Sequence, residues 1–122
     1  MRNLQDLNKK EIIKRFAEES FARATFEQVK NDFFKVGIEI QFKDEHYVTK
    51  EAFTTQLGRE IDAIMREAPH ILTQLFYLVD LPENQVDIML SEAENPALEL
   101  ADALLIRAAQ KVYFKQKYKL KH

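Results

Sequence analysis

Apolar residues recur along this chain at steps of three and four, the period of an amphipathic helix, and switch to a period of two at one place. The first stripe comprises Ile12, Ile13, Phe16, Ala17, Ser20, Phe21 and Ala24. Asn8 and Glu11 form a capping-box pattern ahead of it, with Leu7 and Ile12 spaced as a hydrophobic staple. Thr25 and Gln28 repeat the capping pattern, so the chain either breaks there, which the pattern favours, or continues as one helix through Phe26, Val29 and Phe33. Gly37 is the next stop signal. A glycine past a helix takes the left-handed cap at little cost, and Ile38 is placed to fold back onto Phe33.

Ile38, Ile40 and Phe42 then alternate with Glu39 and Gln41, as in a half-buried strand, and Tyr47-Val48-Thr49 offers a partner. A short β-hairpin near residues 38–49 is therefore left open; on its own it is marginal and has to lie on helices. Thr49 reads as the cap of a helix carrying Ala52, Phe53, Leu57, Ile61, Ile64 and Met65, weakened by Gly58 and ending near Ala68. Pro69 suits the first turn of the next helix, whose Ile71, Leu72, Leu75, Phe76, Leu78 and Val79 make it the most apolar stretch and predict a central position. Asp80-Leu81-Pro82-Glu83 and Asn95-Pro96 are two further N-terminal signals, bounding a short helix with Val86, Met89 and Leu90. Beyond them Ala97, Ala101, Leu104, Leu105, Ala108 and Val112, widened by Leu98, Leu100, Ile106 and Ala109, predict a long helix buried on more than one side. The expected fold is all-α or mainly α: one compact bundle of about five or six helices over residues 1–122, with 113–122 as a basic tail that can fray.

Composition agrees with this reading and narrows the chemistry. Two Gly and three Pro among 122 residues leave few turns. The absence of cysteine excludes disulfides, thiolate metal sites and thiol nucleophiles, and glycines only at 37 and 58 exclude a Gly-rich phosphate loop. The first residues lead into a charged segment, and the longest aliphatic and aromatic run, Leu75 to Val79, falls far short of the ~20 residues that span a bilayer. A cytoplasmic protein without a membrane span is expected.

Glu67 and His70 have the Glu-x-x-His spacing of di-iron bundles, but Pro69 lies between them and no second pair exists. A phosphotransfer role for His70 lacks a neighbouring cation, since Ile71, Leu72, Thr73 and Gln74 come after it. None of the three histidines sits in a recognisable nucleophile–base setting. No cofactor, metal or catalytic residue is assigned, and no stretch carries a family motif that would assign one by likeness.

The net charge of −2 conceals a strong segregation: residues 1–59 carry +1, residues 60–106 carry −9 and residues 107–122 carry +6. The tail interleaves Lys111, Lys115, Lys117, Lys119 and Lys121 with Tyr113 and Tyr118, a pattern able to meet phosphates and stack on bases, or to touch an anionic surface. The same cations also complement a helix C-terminus. The acidic middle presents Glu83, Asp87, Glu92 and Glu94, which argue against a DNA-reading helix pair and for a basic protein surface or the chain's own tail. The expected function is a non-enzymatic protein–protein interaction or regulatory module. Binding of single-stranded nucleic acid by the tail and of a small ligand in the bundle core are the alternatives, and a homodimer is left open.

Overall fold

The computed structural model describes residues 10–12 and 14–119. The long elements are α1 (Glu19–Lys35), α2 (Lys50–Glu67), α3 (Pro69–Leu78), α4 (Glu83–Glu92) and α5 (Pro96–Lys119), with a 3-10 turn at Asp44–Tyr47. Residues 10–12, 14 and 15 are also helical. The capping residues Leu7 and Asn8, and Ile13 of the first stripe, lie outside the described residues. The helical bundle predicted from periodicity is present, and no helix among the described residues is long and apolar enough to cross a membrane.

The break expected at Thr25 occurs instead at Phe16–Glu18, and α1 passes through Thr25 uninterrupted. The cause is the direction of the Thr25 hydroxyl bond. It donates 2.9 Å back to the Phe21 carbonyl and is fully buried, so it cannot cap a new helix. The α1 terminus is as predicted: Gly37 has φ +87°, its N–H donates to the Phe34 carbonyl, and the Ile38 N–H donates to Phe33.

The hairpin at 38–49 does not form, and the described residues contain no strand. The period of two is nevertheless real. Ile40 is buried and Ile38 and Phe42 half-buried, while Glu39 and Gln41 face water. These side chains pack on helices rather than on a second strand: Phe42 stacks on Phe53, and Phe53 on Phe26, with ring centroids 4.4 and 4.1 Å apart. The would-be partner segment is consumed otherwise, by the 3-10 turn and by Thr49, whose hydroxyl accepts from the Ala52 N–H to start α2.

The central element is α5, not α3. Leu100, Ala101, Leu104, Leu105, Ala108, Ala109 and Val112 of α5 are all buried, with α1, α2 and α4 packed around them. Asn95 caps α5 by accepting from the Leu98 N–H, as its sequence predicts. At Gly58 α2 faces the start of α5, where a Cβ would stand 3.5 Å from the Leu98 Cα, an ordinary contact. Residues 113–119 continue α5 as helix.

By contrast α3 lies at the edge, resting mainly on α2. Leu72, Leu75 and Val79 face the core, whereas Tyr77 is 90% exposed and Leu78 also reaches water. The helix ends in a second left-handed cap, occupied by Asp80 at φ 60°, with the Asp80 N–H donating to Tyr77 and the Leu81 N–H to Phe76. Asp80 therefore terminates α3 instead of capping α4, whose N-cap position falls on Pro82.

Candidate functional site

Because α3 rests on α2 and α4 rests on α5, the two short helices diverge from the turn that joins them and leave a groove between. The space is about 810 Å³. Its floor is Leu72 of α3, Val86 of α4 and Leu100 of α5, all buried. Phe76, Tyr77 and Met65 form one wall and Leu90 the other, with Leu81 and Pro82 closing the end. Each helix has ten residues, so the groove runs for about 15 Å, three turns of a docked helix.

The rim has one sign of charge. Asp80, Glu83 and Asp87 line it and Thr73 adds a hydroxyl; no basic residue lines the groove, and Arg107 reaches the Asp80 carboxylate from outside it, 3.9 Å away. All three carboxylates are exposed. An apolar trough edged by carboxylates selects for apolar side chains flanked by cations, the recognition mode of an amphipathic helix in a groove.

Of the acidic residues singled out in the sequence, the structure brings Glu83 and Asp87 to this rim. Glu92 ends α4 and Glu94 lies in the next turn, both exposed and neither lining the groove. The basic residues at the chain's end are divided. Lys111 is engaged in the fold: its Nζ donates 3.1 Å to Oδ1 of Asp32, which is 3% exposed and also accepts from Gln28. Lys115 reaches Oε1 of Gln28, and Tyr113 is half-buried beneath the Arg15 guanidinium, 5.0 Å above its ring. Lys117 is exposed, 5.9 Å from the same ring centroid, and Tyr118 is exposed. Lys119 is the last residue of α5, and Lys121 lies outside the described residues.

Glu67 and His70 fall on different helices, ending α2 and starting α3, with Pro69 between them. Among the described residues no group of three or more His, Asp or Glu is arranged to hold a metal ion.

Sequence reasoning missed the groove's apolar walls. The signal was present in the run Leu75-Phe76-Tyr77-Leu78-Val79, which is apolar on every side of a helix. Such a run fits a central helix. On an edge helix it must leave apolar surface uncovered, and Tyr77 and Leu78 are that surface. No family model, no curated protein and no solved structure matches this chain.

Proposed function

We propose that this chain is a non-enzymatic interaction module whose α3–α4 groove receives a helical segment of a protein partner, apolar on one face and basic along its edges. The supporting observation is the pairing of an apolar trough with a rim on which Glu83 and Asp87 stand beside Asp80, itself paired with Arg107, and no basic residue is among those lining the groove. The trough supplies affinity through buried area. The rim charges guide encounter and orientation, and being exposed they are screened by salt.

Less supports the reading of the tail as a nucleic-acid binder, because Lys111 is held by Asp32 and Lys115 touches Gln28. Fewer cations remain to meet a phosphate backbone than the sequence offers.

The test is titration of the full chain into a fluorescently labelled Leu/Lys amphipathic helical peptide, monitored by anisotropy. Binding should weaken as salt rises, weaken with Asp87→Lys, and be lost with Tyr77→Asp plus Leu90→Asp, positions exposed enough to leave the fold intact. A peptide that binds these variants as well as the parent chain would place the interaction elsewhere and sink the reading.

A further inference from the structure

We infer that the groove's occupant is the C-terminal end of α5 from a second copy of this chain, exchanged reciprocally between two protomers; the inference rests on the groove reading above. The chemistry that the groove selects is carried by the chain itself. Beyond Arg107 and Lys111, which are paired with Asp80 and Asp32 of their own fold, residues 112–122 hold four basic residues and no acidic one, against the rim carboxylates of Glu83 and Asp87. On the last turns of α5, Phe114 and Tyr118 stand one helical turn apart, 38% and 62% exposed, with Lys115 and Lys117 between them. A spacing of four residues places both rings on one face of the helix, the arrangement of an anchor pair entering a trough.

The contact has to be intermolecular. Leu100 floors the groove and belongs to the same helix as Phe114, about 21 Å farther along its axis, so neither ring can turn back into its own groove. Exchange between two copies uses both tails and both grooves and closes on itself with two-fold symmetry. A one-way contact would leave a tail and a groove open at each end and propagate.

Sedimentation of the full-length chain across a concentration and salt series tests this. A dimer is expected whose dissociation constant rises with salt. The groove variant Tyr77→Asp plus Leu90→Asp and the tail variant Phe114→Ser, Lys117→Glu plus Tyr118→Ser should each weaken association at least about tenfold while retaining native helical circular dichroism. An equimolar mixture of the two variants should form a dimer again, held by the one intact tail in the one intact groove. The inference is overturned if the parent chain is monomeric at every concentration, if association persists unchanged in both variants, or if species larger than a dimer predominate. The Leu/Lys peptide separates the two ideas. Peptide binding by a strictly monomeric chain leaves the groove reading standing and removes the second copy, whereas loss of both removes both.

Discussion

The Arg107 Nε–H donates a 2.9 Å hydrogen bond to the carbonyl of Val79, from the middle of α5 to the residue that caps α3. The same guanidinium bonds Gln110 and lies 3.9 Å from the carboxylate of Asp80. It therefore anchors the turn from which α3 and α4 diverge, and with it the closed end of the groove. Helix ends leave carbonyls without intrahelical partners, and here a charged donor from a packed helix satisfies one of them.

Arg107→Leu is expected to lower stability by about 1–2 kcal/mol, the worth of a charged hydrogen bond discounted for partial exposure. A urea titration should show the midpoint falling with an unchanged slope. Arg107→Lys should recover only part of the loss, because an ammonium cannot serve Val79 and Gln110 in the same planar geometry.

Asp32 and Lys111 bind α1 to α5 by a pair in which the carboxylate is almost wholly buried. Lys111→Met should cost about 2–3 kcal/mol, since it leaves Asp32 with Gln28 alone and its charge uncompensated. Asp32→Leu combined with Lys111→Met should be close to neutral, as apolar replacement of a whole buried pair usually is. A double-mutant cycle in urea reads the coupling. Strictly additive costs for the two single changes would show that the pair does not act as a unit.

Gly58→Ala should stabilise the protein by about 0.5–1 kcal/mol, because alanine is the better helix former and its methyl meets Leu98 at an ordinary contact distance. The thermal midpoint should rise by about 2–5 °C. Gly58→Val adds bulk against the α5 backbone and should destabilise instead.

Most of the architecture was legible because its signals are local. The cap at Gly37, the start at Thr49, the proline opening α3 and the Asn95 cap are each decided within a few residues, and each is found where the pattern places it. Readings failed where a distant partner decides. Thr25 turns its hydroxyl backward and is buried in a packed helix, the segment at Phe42 prefers the Phe53 ring to a strand, and α3 is displaced from the centre by a helix with a wider apolar face. The same limit governs the site. Glu83 and Asp87 could be picked out from charge alone, but the trough beside them depends on α3 and α4 resting on different neighbours, which no local pattern records.

The most direct measurement is an amide NMR titration of the isotopically labelled full chain, kept dilute, with the unlabelled Leu/Lys peptide. A helix seated in the groove should produce shifts that cluster on Thr73, Tyr77, Glu83, Asp87 and Leu90, on both sides of the trough, and that fade as salt is raised. Shifts confined to other faces of the bundle, or no shifts at peptide excess in low salt, would contradict it.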